Sequence, residues 1–88
     1  MYSIIFRKDA PKQLKNLKAI KLLDKVNIIL DAMEKDPFVT PPPFKVLHGD
    51  KAGIYSRRIN LQHRIFYTVD DTSKAIYILS MWNHDLER

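Results

Sequence analysis

The chain contains no cysteine, only two glycines (Gly49 and Gly53) and one tryptophan in 88 residues. Without cysteine it can form no disulfides and no thiolate metal sites, and nothing in the composition indicates secretion. Two isolated glycines do not make a glycine-rich phosphate-binding loop. The three histidines, His48, His63 and His84, lack the spacing of a zinc site. We therefore expect no metal and no cofactor.

Long apolar runs are missing as well. No segment approaches the roughly 20 consecutive apolar residues that span a bilayer. The first six residues are too short for the apolar region of a signal peptide, and no cleavage site follows them. By default these absences predict a cytoplasmic protein without a membrane partner.

The charge of the chain is strongly positive. Its formal net charge is +5 and its pI is about 9.6. This balance suits a polyanion such as RNA, DNA or a ribosome surface, and it also suits an acidic protein partner. One side of a predicted helix carries three lysines, Lys12, Lys15 and Lys18. They form either an ordinary solvated face or a surface that binds RNA phosphates. Charge alone leaves these alternatives open.

The apolar pattern predicts one α+β domain over residues 1–88. A strand over 2–6 precedes two helices that form a hairpin with a bend near 19–22, and Pro37 ends the second helix. The consecutive prolines at 41–43 indicate a stiff loop. Further strands are expected at 44–47, 54–60, 63–69 and 74–82. The order β-α-α-β-β-β-β predicts two helices packed on one face of a mainly antiparallel sheet of four to five strands.

Cationic and histidine side chains are concentrated on the predicted sheet. Because side chains alternate faces along a strand, Arg57 and Arg58 point in opposite directions, and Arg64 shares a face with Phe66. An arginine in the middle of a strand needs an anionic partner. For Arg64 that partner is either a structural carboxylate or a bound phosphate. The full set of candidates is Lys45, His48, Lys51, Arg57, Arg58, Arg64 and His84.

RNA cleavage is a reaction that such a set can perform without a metal. The ribose 2′-hydroxyl attacks the adjacent phosphate, while a base takes its proton and an acid protonates the departing 5′-oxygen. Histidine serves as acid or base near neutral pH, and arginine binds phosphate oxygens through two parallel hydrogen bonds. His84 and Arg64 are side chains of these types.

Several separated segments resemble the YoeB/Txe toxins. They are Phe44-Lys45-Val46-Leu47-His48-Gly49-Asp50, the Ser-Arg-Arg-Ile element at 56–59, the His-Arg-Ile-Phe-Tyr element at 63–67, and the ending Leu79-Ser80-Met81-Trp82-Asn83-His84. The resemblance covers residues 37 to 84. It implies the RelE-like fold with a twisted sheet, ribosome-dependent cleavage of mRNA, and neutralisation by a cognate antitoxin whose C-terminal segment wraps the toxin. A homodimer is also consistent with it.

The resemblance also implies roles for individual residues. Arg64 matches the arginine that stabilises the scissile phosphate, and His84 matches the histidine proposed as general acid. Lys45 stands where the family usually has a glutamate, the proposed general base, and it is expected either to take that role or to hold phosphate. Contacts to RNA or the ribosome are expected from His48, Lys51, Arg57, Arg58 and Tyr67, although Arg57 could be structural instead.

At two positions the chain differs from the family pattern, and these differences leave two other functions as alternatives. The first is Lys45 at the glutamate position, and the second is Asp85 where a tyrosine commonly follows the terminal histidine. A toxin of the same fold that inhibits DNA gyrase in the manner of ParE is one alternative. A catalytically decayed module that only binds its antitoxin is the other.

Overall fold

The computed structural model describes residues 1–7 and 9–82, and this part of the chain forms two α-helices and five strands. The elements are β1 (Ser3–Phe6), α1 (Ala10–Ala19), α2 (Leu23–Lys35), β2 (Phe44–Val46), β3 (Tyr55–Arg58), β4 (Arg64–Asp70) and β5 (Ala75–Ser80). A short 3₁₀ helix, Gly49–Lys51, joins β2 to β3. The predicted α+β class and the order β-α-α-β-β-β-β are confirmed. Among the described residues, no helix is long and apolar enough to cross a membrane.

The bend between the helices is a hydrogen-bonded helix end. Lys21 adopts a left-handed conformation with φ of 64°, and its amide donates to the carbonyl of Lys18. The amide of Leu22 reaches back to the carbonyl of Leu17 at 2.8 Å. This pattern satisfies carbonyls that the last turn of α1 leaves without a helical partner, so the chain reverses here at little cost in hydrogen bonding.

The sheet has the order β1-β5-β4-β3-β2. Its only parallel pair in the described residues is β1 with β5, and the other neighbours are antiparallel. A parallel pair requires a long crossover connection, and in this chain α1 and α2 lie in the segment that joins β1 to the later strands. The sheet is therefore mixed but mainly antiparallel, as predicted.

The core lies between one face of the sheet and the two helices. Val26, Ile29 and Met33 recur on one side of α2 and are buried against the sheet residues Ile65 and Ile78. Burial of this apolar stripe is the main favourable term in the folding of so small a domain. On the opposite face, Lys45 of β2 and Arg58 of β3 are exposed, whereas Ser56, Arg64 and Phe66 are buried.

Strand limits differ from the prediction by one or two residues at several ends. The predicted strand over 74–82 is observed only over Ala75–Ser80, and the predicted strand over 54–60 only over Tyr55–Arg58. After Arg58 the chain turns, and the side-chain oxygen of Asn60 accepts hydrogen bonds from the amides of Gln62 and His63. This turn ends the ladder earlier than the apolar pattern suggested.

Candidate RNA cleft on the open face of the sheet

The register of three strands brings the candidate cations onto one face. Lys45 lies opposite Ser56, and Ser56 lies opposite Phe66. Arg58 lies opposite Arg64 in the next pair of β3 and β4. Directly opposed residues of an antiparallel pair project to the same side. The face without helices therefore carries Lys45, Arg58 and Arg64 together, and Arg64 shares it with Phe66 as strand alternation predicted.

Arg64 is held in place beneath this face. Its side chain is only 8% exposed, and its Nε donates to Oγ of the fully buried Ser56 at 3.0 Å. A guanidinium has five N–H donors in one plane, so fixing Nε also fixes the direction of the remaining donors. This arrangement restricts the orientations of Arg64 before any anion binds.

An open cleft of about 350 Å³ is lined by Pro43, Phe44, Lys45, Arg58 and Arg64. Three of the five lining side chains are cationic and none is acidic. The positive lining suits a phosphate group, whereas the Phe44 ring packs on the other side of the sheet, 5.2 Å from the Arg57 guanidinium.

Arg57 and Tyr67 occupy the opposite side of the sheet, and both are fully buried. Nε of Arg57 donates to the Tyr67 hydroxyl at 3.1 Å, and another guanidinium nitrogen donates to the carbonyl of Pro37 at 2.9 Å. A third bond runs from Arg57 to the carbonyl of Pro42. Neither side chain presents a surface to RNA, so the expectation that they contact RNA or the ribosome is corrected to a structural role.

The hydrogen bonds of Arg57 attach the proline loop to the sheet. The Tyr67 hydroxyl donates to the same Pro37 carbonyl at 3.0 Å, and the Arg57 guanidinium lies 5.2 Å from the ring centre of Phe44. Burial raises the pKa of the Tyr67 phenol, and the nearby Arg57 charge opposes this rise only in part. The Tyr67 phenol is therefore neutral. The loop that leads into the strand of Lys45 is fixed by hydrogen bonds at Pro37 and at Pro42.

This role could have been anticipated from two signals in the sequence. Alternation turns Arg57 away from Arg58. The prolines at 41–43 have no amide hydrogens, so this loop cannot join the sheet through a regular ladder, and its carbonyls accept from other donors. The combination favours a buried arginine that serves the loop.

His48 and Lys51 lie at the 3₁₀ helix between β2 and β3. His48 is exposed at the start of this helix and Lys51 is half-buried at its end. Neither is among the residues that line the cleft. His84, the expected general acid, falls outside the described residues.

A stacked pair lies at the end of the described chain and was not anticipated. The rings of His63 and Trp82 are 4.2 Å apart between centroids, and His63 is buried. His63 directly precedes Arg64, so the stack fixes the last described residue of the chain beside the strand that carries Arg64. In residues 1–7 and 9–82, no group of three or more His, Cys, Asp or Glu side chains could hold a metal ion.

Comparison with solved structures identifies the class of protein to which this fold belongs. A YoeB/ParE toxin from Agrobacterium tumefaciens matches with a TM-score of 0.85, covering 93% of this chain and 98% of that chain at 21% identity. At this identity the likeness shows the fold alone. The fold is that of the RelE-like toxins, as the resemblance implied.

The family follows from closer relatives. YoeB from Staphylococcus aureus, in a heterotetrameric complex with YefM, is 31% identical with a TM-score of 0.80, covering 96% of this chain and 98% of that one. Toxin YoeB of Synechocystis sp. is 39% identical over 56 residues, which are 64% of this chain and 65% of that relative. The sequence model for the YoeB-like toxin of bacterial type II toxin-antitoxin systems matches residues 11–85. The chain belongs to this family of toxins.

Proposed function

We propose that this chain is a ribosome-dependent mRNA endonuclease that a cognate antitoxin neutralises. The observation that carries the proposal is the convergence of Lys45, Arg58 and Arg64 on one cleft of the open face. Membership in the YoeB-like toxins supports a toxin function. The reaction is assigned from the chemistry that such a cleft can perform on an RNA phosphate.

The cations stabilise charge on the phosphate. When the 2′-hydroxyl oxygen bonds to phosphorus, negative charge builds on the non-bridging oxygens, and donors fixed in advance stabilise it without reorganising. Arg64, oriented by Ser56, provides the central contact. Arg58 on β3 and Lys45 on β2 complete the set. Lys45 at the family's glutamate position is in this proposal a phosphate ligand.

Proton transfer completes the reaction. The 2′-oxygen bonds to phosphorus as the bond from phosphorus to the 5′-oxygen breaks, giving a 2′,3′-cyclic phosphate and a 5′-hydroxyl. The 2′ proton passes to water in the open cleft, and His84 donates a proton to the 5′-oxygen. The assignment of His84 rests on its match to the histidine that the resemblance gives as general acid, because residue 84 lies outside the described residues.

Protein partners follow from the relatives. The solved structures of the Staphylococcus aureus toxin include a heterotetramer with YefM and a YoeB dimer. We infer that this chain likewise binds an antitoxin of its own module, and that it acts on mRNA held by the ribosome in the cytoplasm. A homodimer is the corresponding proposal for the free toxin.

The test is primer extension on a defined mRNA in a purified translation system, with and without ribosomes. The wild type should give cuts that depend on ribosomes, and Arg64→Ala should give far weaker cuts under the same conditions. Absence of cuts from folded wild-type protein free of antitoxin would reject the nuclease. Circular dichroism and a thermal melt of Arg64→Ala establish that the variant is folded.

A further inference from the structure

The face of the sheet that carries the cationic cleft continues across β5 to the edge strand β1. Ile76 and Ile78 of β5 belong to the core, so Tyr77 between them points to the face without helices. Ile5 of β1 lies opposite Tyr77 in the parallel pair and shares that face. Thr68 of β4 lies opposite Tyr77 on the other side. Side chains of β1 and β5 therefore extend the surface on which the cleft lies.

An arginine and a tyrosine are paired on this part of the face. The guanidinium carbon of Arg7 lies 5.4 Å from the centre of the Tyr77 ring, which is the geometry of a cation–π contact. The amide of Arg7 donates to the carbonyl of Ile78 at 2.9 Å, so the backbone of Arg7 is fixed against β5. Arg7 is exposed and Tyr77 is half-buried. The pair thus presents a positive charge at the surface beside a ring that the sheet holds in place.

Ile5 adds an apolar surface next to the ring. Its side chain is 38% exposed, although it lies within a strand and beside Tyr77. Proteins that bind single-stranded nucleic acid hold bases against aromatic rings and neighbouring apolar side chains, and they bind the phosphates with arginine. Arg7, Tyr77 and Ile5 supply these three kinds of group. Their chemistry matches one nucleotide of a single strand.

The distance to the cleft is compatible with one continuous strand of RNA. Thr68, the neighbour of Tyr77, follows Arg64 by four residues on β4, a span of about 13 Å along the strand. Adjacent strands of a sheet are only about 5 Å apart. Small single-strand-binding β-domains hold roughly four nucleotides or more. An RNA with a phosphate at Arg64 can therefore continue across β4 and β5 to Arg7.

We propose that Ile5, Arg7 and Tyr77 form a second nucleotide-binding subsite, which holds a nucleotide of the substrate strand outside the cleft. The base packs against Tyr77 and Ile5, and Arg7 binds the phosphate of that nucleotide. The proposal rests on the proposed function, because it states how the RNA of that reaction crosses the sheet. The subsite contributes affinity and alignment, and it takes no part in breaking the bond.

The first experiment measures binding without any activity assay. A fluorescein-labelled single-stranded RNA with 2′-deoxy substitutions, which cannot be cleaved, is titrated by anisotropy at several salt concentrations. Arg7→Ala should reduce the slope of log K against log salt concentration by about 0.7, and Arg7→Lys should keep the slope because it keeps the charge. Tyr77→Leu should weaken binding about 10-fold, whereas Tyr77→Phe retains the ring and should bind as the wild type does.

Two controls accompany these variants. Lys35→Ala removes an exposed charge at the end of α2 and should change neither the slope nor the affinity. Thermal melts report whether each variant is folded. Because Arg7 is exposed, Arg7→Ala still decides the proposal if Tyr77→Leu does not fold.

The second experiment locates the nucleotide. Copies of the same RNA each carry one abasic residue, at successive positions along the strand. One abasic position should weaken binding to the wild type about 10-fold, because a stacked base is lost. That RNA should bind Tyr77→Leu no more weakly than the intact RNA does. Loss of the base and loss of the ring remove the same contact, so their effects should not add.

Four outcomes have distinct meanings. Variants of Arg7 and Tyr77 that melt at lower temperature but bind RNA as the wild type does would show that the pair only stabilises the fold, which overturns the subsite. Abasic losses that are equal in wild type and Tyr77→Leu would place the bases elsewhere. RNA that does not bind the wild type overturns the subsite too. Wild-type protein that binds RNA with the expected variant effects, yet leaves mRNA on ribosomes uncut, rejects the nuclease and supports the subsite.

Discussion

Arg57 and Arg58 are consecutive in β3, yet Arg57 is fully buried beneath the proline loop while Arg58 is exposed at the edge of the cationic cleft. The same dipeptide therefore serves both faces of the sheet. Arg57 fixes the loop through two hydrogen bonds to its carbonyls and donates a third to the Tyr67 hydroxyl, and the loop leads into the strand that carries Lys45. A residue that never meets RNA thus helps to determine where the cations of the cleft lie.

The first prediction concerns the buried member of this pair. Arg57→Lys should lower the free energy of unfolding by about 2–4 kcal/mol, because an ammonium cannot satisfy the Pro37 carbonyl, the Pro42 carbonyl and the Tyr67 hydroxyl together. Arg58→Lys, the matched change one residue away, should stay within about 0.5 kcal/mol, since its side chain is exposed. Urea unfolding followed by Trp82 fluorescence measures both. Equal losses in the two variants would contradict the structural role of Arg57.

The second prediction concerns pH. Burial raises the pKa of Tyr67 above its usual value, so the neutral phenol contributes stability that is complete below the pKa of the unfolded chain, about 10. That contribution is lost as pH rises through the higher pKa of the folded state. Tyr67→Phe should cost about 1–2 kcal/mol at pH 7, because two buried hydrogen bonds disappear.

The difference in the free energy of unfolding between the wild type and Tyr67→Phe should become smaller above pH 10, because the wild type loses stability as Tyr67 ionises and phenylalanine does not ionise. Urea unfolding of both proteins at pH 7, 9 and 10.5 measures this change. Tyr55→Phe is the matched control, because Tyr55 packs beside Tyr67 with ring centres 5.7 Å apart. A deficit that stays constant with pH would show that the burial of Tyr67 does not control its ionisation.

The fold was predictable because its signals are local. The apolar stripe Val26, Ile29 and Met33 has helical spacing, and the later segments alternate with a period of two, so element types and order follow from sequence. Strand ends were less predictable. The turn at Asn60 depends on side-chain hydrogen bonds to the backbone, which compete with continuation of the strand.

The site was predictable only in part. Alternation placed Arg58 on the face opposite Arg57, but it could not show that Arg57 would donate to carbonyls of a loop 15 and 20 residues away. In the sequence, a tyrosine that contacts RNA and a tyrosine that is buried in the core look the same, so the role of Tyr67 could not be predicted. Its hydroxyl is instead used inside the core, and only tertiary packing decides between these roles.

The third prediction concerns the helix end at Lys21. A lysine with φ of 64° is strained by its Cβ, whereas glycine adopts this conformation freely. Lys21→Gly should therefore raise the free energy of unfolding by about 0.5–1 kcal/mol, an unusual sign for a glycine substitution. Lys18→Gly within α1 should lower it by a similar amount. A loss of stability in Lys21→Gly would show that this residue does not hold the left-handed conformation in solution.

The fourth prediction tests Lys45 as a phosphate ligand. Lys45→Ala should weaken binding of a non-cleavable single-stranded RNA and reduce the slope of log K against log salt concentration by about 0.7, the value for one lost phosphate contact on a single strand. Lys35→Ala removes the same charge from an exposed position at the end of α2 and should leave the slope nearly unchanged. Identical slopes for wild type and Lys45→Ala would remove Lys45 from the interface with RNA.

The last prediction separates the residue that meets phosphate from the residue that orients it. Arg64→Ala should reduce ribosome-dependent cleavage about 10²- to 10³-fold, the usual effect of removing one donor fixed toward developing charge. Ser56→Ala keeps the Arg64 guanidinium but removes the hydroxyl that accepts a hydrogen bond from Nε of Arg64. The cleavage rate of this variant should therefore fall by only about 10-fold. Single-turnover rates on ribosome-bound mRNA measure both, with thermal melts to confirm folding. If Ser56→Ala is as inactive as Arg64→Ala while still folded, the hydroxyl takes part directly. If Arg64→Ala retains full activity, the central phosphate contact lies elsewhere.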